Sequence, residues 1–110
     1  MLIGIYEIDF KTERIVQANK TLCDMLGYTE EELKTTPVSA FVTPESFELF
    51  KRRMAQVKTG NVLESKANYT AITRAGIHIK TEIESFYKIE NGDIVGALVA
   101  VRGIEPDDYT

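Results

Sequence analysis

Between Asn19 and Gly60 the apolar residues recur every three to four positions, and from Val62 onward they recur every second position. A helical repeat does not sit still as a strand, nor a strand repeat as a helix. The switch therefore fixes where helices give way to sheet. Before Asn19 the period is again two. Leu2, Gly4, Tyr6, Ile8 and Phe10 share one face of a strand over 2–10, and Ile3, Ile5, Glu7 and Asp9 share the other. Lys11 to Glu13 form a polar turn, and Arg14 to Ala18 return as the second arm of a hairpin. The order is two strands, a run of helices, then three strands.

The helices carry their own punctuation. Asn19 is placed to cap the first, whose stripe is Leu22, Met25 and Leu26, and Gly27 is placed to end it. Thr29-Glu30-Glu31-Glu32 has the form of a capping box, with three carboxylates favouring the positive end of the helix dipole and Leu33 as core anchor. Pro37 and the 38–42 stretch predict a short turn. Thr43 followed by Pro44 starts the longest helix, 44–59, with Phe47, Phe50, Met54 and Val57 on one face and Gly60 as its stop.

In the last block Leu63, Ser65, Ala67, Tyr69 and Ala71 alternate with polar neighbours, although a slip of one residue would invert that face. After the Ala75-Gly76 turn, Ile77, Ile79, Thr81, Ile83, Ser85 and Tyr87 alternate with His78, Lys80, Glu82, Glu84 and Lys88. Asn91-Gly92 is a strong hairpin signal. The last strand, Ile94 to Arg102, is apolar on both faces. Ile94, Gly96, Leu98 and Ala100 line one side, and Val95, Ala97, Val99 and Val101 line the other. A strand covered on one side only shows polar residues outward. The second face, assigned to Val95, Ala97, Val99 and Val101, is thus expected to be covered by a partner subunit or by a helix from outside this segment.

At 110 residues the chain is expected to be one domain, 1–110, with a core over about 4–102 and a tail or linker over 103–110. Its abrupt ends suggest excision from something longer. Thirteen basic against 17 acidic residues, net −4, lack the basic excess of a nucleic-acid binder, and Lys51-Arg52-Arg53 reads as a solvated helix face beside Glu45 and Glu48. No apolar run approaches the roughly 18 residues of a membrane span, so no membrane contact is expected. The single cysteine, Cys23, suits a reducing compartment, and a cytoplasmic location is expected.

Catalytic chemistry finds no foothold. One histidine and one cysteine 55 positions apart make no recognisable zinc site, and Glu30-Glu31-Glu32 is accounted for by capping. Gly27 and Gly60 are isolated helix stops, not a phosphate loop. No nucleophile–base pair is evident. No catalytic residue, no metal site and no enzyme activity are expected.

Particular words accompany the element order: Asp9 with the Thr12-Glu13-Arg14-Ile15 turn, then Asn19, Leu26-Gly27-Tyr28-Thr29 and Glu31-Glu32-Leu33, with Pro44-Glu45-Ser46 and the Ala75-Gly76 and Asn91-Gly92 turns further on. From about Gly4 to Arg102 the chain resembles the PAS domain family. The resemblance implies an α+β fold: a five-stranded antiparallel sheet, order 2-1-5-4-3, with helices on one face and a small pocket between. It also implies a sensory or dimerisation module linked covalently to a histidine kinase, a diguanylate cyclase or a transcription regulator, and a homodimer as the assembly. Three departures stand out. Glu13 occupies a frequent turn glycine, Ala75-Gly76 replaces Asp-Gly, and Gly103-Ile104-Glu105 before Pro106 replaces the usual Asp-Ile-Thr hand-off to a following helix.

Haem-binding members carry a histidine on the long helix. Here 44–59 has none, and His78 sits on the polar face of its strand. Flavin photosensor members carry an Asn-Cys-Arg-Phe-Leu type sequence that is missing here; Cys23 lies on the first helix and reads as a small buried hydrophobe. The cofactor is thus unassigned, haem and covalent flavin chemistry are not expected, and a small organic ligand is the remaining class. Combined with the alternation, the resemblance puts Tyr69, Ile83, Ser85, Leu98 and Ala100 on the sheet side of the pocket and Phe41, Phe47, Phe50 and Met54 on the helix side. Ser85, Tyr69 and Tyr87 would supply polar groups to orient a ligand. The same residues would equally fill a core with no ligand, leaving an interaction module as the alternative.

Overall fold

The computed structural model describes residues 3–60 and 64–104. Of the tail expected over 103–110, Gly103 and Ile104 belong instead to the last strand, and its remainder, 105–110, lies outside the described residues together with Leu2 and Leu63. The elements in chain order are β1 (Ile3–Asp9), β2 (Arg14–Ala18), α1 (Lys20–Leu26), α2 (Glu30–Thr35), a single 3-10 turn (Val38–Ala40), α3 (Pro44–Lys58), β3 (His-free, Lys66–Ile72), β4 (His78–Glu90) and β5 (Asp93–Ile104). The strands form one antiparallel sheet in the order β2-β1-β5-β4-β3. The α1 helix packs on β1, α2 on β2 and α3 on β3, so all the helices lie on one face.

Local chemistry sets each helix start. Asn19 Oδ1 accepts from the Leu22 N–H at 2.9 Å, and the same oxygen accepts from the Ile5 N–H at 2.9 Å, tying the head of α1 to β1. At α2, Thr29 Oγ1 accepts from the Glu32 N–H at 3.1 Å while Glu32 Oε1 accepts from the Thr29 N–H at 2.9 Å, so the capping box is complete. Leu33 behind it is fully buried. Thr43 caps α3 with Pro44 in the first turn, and Phe50 and Met54 are buried beneath that helix. The turn residue Glu13 takes φ 59°, the left-handed region that explains the frequent glycine there. Its backbone is held by a 2.8 Å bond from the Glu13 N–H to the Asp9 carbonyl.

Both sheet edges are partly occupied. Along the outer side of β3, the Ile72 N–H donates to the Phe41 carbonyl at 2.7 Å and the Thr43 N–H to the Thr70 carbonyl at 3.0 Å. The Thr70 N–H donates to Ser46 Oγ at 2.8 Å. On the outer side of β2, the Ala18 N–H donates to Glu30 Oε2 at 2.9 Å.

In β3 and β4 the faces follow the alternation. Ala71, Thr81, Ile83 and Ser85 are buried inward, and the register of β3 puts Tyr69 opposite Thr81. In β5 the faces are the reverse of the expectation. Ala97 and Val99 are 1% and 2% exposed and, with Val101, face the helices, whereas Leu98 is 49% exposed on the opposite face and Ala100 lies on Leu98's side. Val95, Ala97, Val99 and Val101 are therefore not a face awaiting a cover.

The cause is one extra residue. From the Asn91-Gly92 turn, Glu90 pairs with Asp93 and Ile89 with Ile94, and an unbroken ladder would set Leu98 opposite Ser85. Instead Lys88 pairs with Gly96, leaving Val95 as a bulge, and Ser85 pairs with Val99. A one-residue shift transfers every later side chain to the other face. On its other side β5 obeys β1: Tyr6 pairs with Val99 and Ile8 with Ala97, and directly opposed residues share a face. Gly96 permits the arrangement, because a Cβ there would lie 2.5 Å from the Ile8 carbonyl oxygen.

Two paired substitutions test the inversion. Val99→Ala is expected to destabilise by roughly 2 kcal/mol in urea unfolding, and Leu98→Ala by less than about 0.5 kcal/mol. The opposite ranking would restore the faces expected from the alternation.

Candidate functional site

The sheet's inner face and the helices enclose a cavity of about 100 Å³. Of the residues expected to line it, Phe41, Phe50, Met54, Tyr69, Ile83 and Ser85 do so. Four others are elsewhere. Leu98 and Ala100 lie on the opposite face of the sheet because of the Val95 bulge. Phe47 is half-buried outside the cavity, stacked on Phe50 with centroids 6.1 Å apart and with Lys51 Nζ 5.9 Å from its ring. Tyr87 sits beyond the rim, tilted against Phe10 at 6.3 Å.

Several lining residues were not assigned from the sequence. Val99 and Val101 were given to the outer face; Tyr6, Ile8, Leu22 and Arg53 were not assigned to the site. Tyr6 had a signal, since it shares a face with Ile8 and Phe10. So did Arg53, which lies three residues after Phe50 and hence at the edge of the apolar stripe.

Tyr6, Tyr69 and Arg53 give the cavity its polar corner. Burial pushes the Tyr6 phenol far above its ordinary value, with Tyr69 adding and Arg53 opposing. Burial likewise raises Tyr69, against the pull of Arg53. Both phenols are therefore neutral donors near neutral pH. Arg53 Nη2 donates to Tyr87 Oη at 3.0 Å and to the Glu64 carbonyl at 3.2 Å, and Tyr87 Oη donates to the same carbonyl at 2.9 Å. This knot joins α3, β4 and the segment leading into β3. On the inner face, Thr81 Oγ1 donates to the Tyr69 carbonyl at 2.9 Å.

A second hollow of about 390 Å³ lies between the end of α3 and the Asn91-Gly92 turn, beside Phe10, Lys11, Lys58 and Asp93. It is larger but more polar. The cavity between sheet and helices is the better candidate, since apolar walls with a few convergent polar groups are what a small-molecule site requires.

Cys23 is half-buried on α1, and its thiol is raised by burial first and by Glu30 and Asp24 next, which keeps it protonated. His78 is exposed at the start of β4. Among the described residues no group of three or more His, Cys, Asp or Glu is placed to hold a metal ion, and no helix is long and apolar enough to cross a membrane.

A family profile described as "PAS domain" matches residues 3–105. No curated protein matches the sequence. Among solved structures, the chain is similar to the N-terminal domain of a diguanylate cyclase with PAS/PAC sensor from Marinobacter aquaeolei, at 16% identity and TM-score 0.77, covering 97% of this chain and 99% of that one. It is also similar to a domain of a sensory box sensor histidine kinase/response regulator from Geobacter sulfurreducens, at 20% identity and TM-score 0.71, covering 91% and 82%. A third is the PAS domain of the fruit-fly ELK potassium channel, at 16% identity and TM-score 0.70, covering 92% and 85%. At these identities the likeness is one of fold.

The buried phenol has a thermodynamic signature. The Tyr6 proton is held more tightly folded than unfolded, so the unfolded chain binds fewer protons once the pH passes the ordinary phenol value of about 10. The contribution is fully present below that pH and is lost as the pH climbs toward the raised folded value. Tyr6→Phe is expected to flatten this alkaline fall in stability, as measured by urea unfolding at pH 9 to 11. An unchanged slope would mean that Tyr6 is not the buried proton holder.

Proposed function

The chain belongs to the PAS domain family, and from that premise we propose that it is the signal-sensing and dimerisation module of a larger signal-transduction protein, with a small organic ligand held between sheet and helices. The observation that carries this reading is the apolar cavity between the layers, bounded by β1, β4 and β5 on one side and α3 on the other, with a cation and two phenols among its lining residues. A ligand there touches both layers, so its arrival changes how α3 rests on the sheet. The output would be a covalently linked histidine kinase, diguanylate cyclase or transcription regulator. Two similar structures come from proteins named as a diguanylate cyclase and a sensor histidine kinase, which supports that choice of class. The module itself performs no catalysis in this reading, and the lone reduced Cys23 fits a cytoplasmic setting.

Dimerisation is assigned to the uncovered face of the sheet. Phe86 and Leu98 are 55% and 49% exposed there and face each other across β4 and β5, with Ile3, Ile5 and Val16 also exposed. A second copy of the chain is the occupant that the rim favours. Arg102 pairs with Glu82 at 2.8 Å and Lys88 approaches Glu7 at 3.9 Å, so these charges beside the patch are matched within the chain. A patch of balanced charge is self-complementary, as an isologous contact requires.

One number favours a second reading. About 100 Å³ is below the roughly 300–1,000 Å³ of typical ligand pockets. A ligand-free interaction module with a nearly filled core is therefore the alternative.

Native mass spectrometry separates the two. A dimer carrying extra mass is expected, and Phe86→Glu is expected to shift it to monomer without changing the far-ultraviolet circular dichroism. A dimer at bare mass would move the conclusion to the interaction module. A bare monomer, unaffected by Phe86→Glu, would overturn the assignment of the open face to a second copy.

A further inference from the structure

We propose that the cavity selects short-chain monocarboxylates, with the apolar chain inside and the carboxylate at Arg53. The inference rests on reading the cavity as a ligand site, and it names the class of ligand.

Charge counting comes first. Arg53 is half-buried on the cavity wall, and among the described residues no carboxylate lies within ion-pair distance of it. The exposed lysines facing α3's other side are served differently: Lys51 and Lys58 each lie 3.6 Å from Glu13. A cation partly withdrawn from water is stabilised by an anion that shares its site. One guanidinium matches one negative charge. A dicarboxylate or a phosphate would bring a second charge against walls such as Ile8, Phe50, Met54 and Ile83, which offer nothing to meet it.

The donor set points the same way. Both hydrogen bonds that Arg53 makes within the protein use Nη2, which leaves the rest of its fork for a ligand among the described residues. Tyr6, Tyr69 and Arg53 all line this cavity, and the guanidinium's charge opposes the rise of both phenols. Guanidinium and neutral phenols are donors, and a carboxylate is the acceptor-only group that takes up a bidentate fork plus a hydroxyl. Tyr87 and the Glu64 carbonyl hold the guanidinium in place from behind, so little freedom is lost when a ligand binds.

Size completes the class. About 100 Å³ is smaller than the roughly 150 Å³ cavity that takes benzene, and it amounts to about three water volumes at ~30 Å³ each. The apolar body that fits has about three to five carbon atoms, as in butyrate, valerate or isovalerate. Acetate leaves the cavity part-empty, and octanoate overfills it.

The test is isothermal titration of the full chain with the straight-chain acids from acetate to octanoate and with the matching primary amides. Affinity is expected to peak at four to six carbons in total and to be roughly tenfold or more weaker for the amide of the same length. Arg53→Gln is expected to abolish the preference for acid over amide, and Arg53→Lys to keep part of it. The acid–amide comparison on the unmodified chain stands by itself if Arg53→Gln fails to fold. Amides binding as tightly as acids, with the same optimum length, would overturn the carboxylate assignment while leaving the cavity a ligand site. No binding of either series would overturn both.

Discussion

The central strand β5 is hydrogen-bonded on both sides, to β1 and to β4, and its register decides which side chains meet the helices. A single unpaired residue, Val95, sets that register. With the bulge, Ala97, Val99 and Val101 close the inner face against Ile8, Tyr6 and Ile83; without it, Leu98 would stand opposite Ser85 and the valines would meet solvent. Gly96 makes room for the neighbouring β1 carbonyl at the same place. The burial of the core, the shape of the cavity and the identity of the open face all descend from this one offset.

What was legible in the sequence was what local chemistry decides. Asn19, the Thr29–Glu32 box and Thr43–Pro44 mark helix starts because each cap is built from residues three positions apart. The inward faces of β3 and β4 could be read because polar residues alternate with apolar ones there. In β5 alternation carries no information, since Leu98 and Val99 are equally apolar, and a bulge depends on how two strands meet across space. The order β2-β1-β5-β4-β3 and the membership of the PAS family were both within reach of the motif string. Arg53 was lost to a rule of thumb: a charge inside a Lys-Arg-Arg run reads as solvated, although its helical position borders the apolar stripe.

The cavity wall is held by unlike forces at different points. The head of α3 is anchored to β3 through the Thr43 N–H bond to the Thr70 carbonyl and the Thr70 N–H bond to Ser46 Oγ. Its middle rests on the sheet through Phe50 and Met54 and is tied to β4 by the bond from Arg53 to Tyr87. Apolar packing is insensitive to direction, whereas the Arg53 bonds have a definite geometry. A group that competes for Arg53 thus acts on a directional contact between this helix and β4, while the apolar contacts keep the layers together. Glu13 adds a quieter link: its strained turn places a carboxylate near both Lys51 and Lys58 on the same helix.

The occupied edges of the sheet have a consequence for how copies of this domain can meet. An unguarded strand edge is a template for strand addition, and strand addition has no natural end: each arrival offers a new edge to the next. Here the backbone groups of β3 are bonded to the Phe41–Ser46 stretch, and the Ala18 N–H on β2 is taken by Glu30. The open face carrying Phe86 and Leu98 is the other surface on which copies can meet. Two such faces brought together hide one another and offer nothing further, so association through them stops at two. A pair formed in that way, as proposed, is no seed for a fibre.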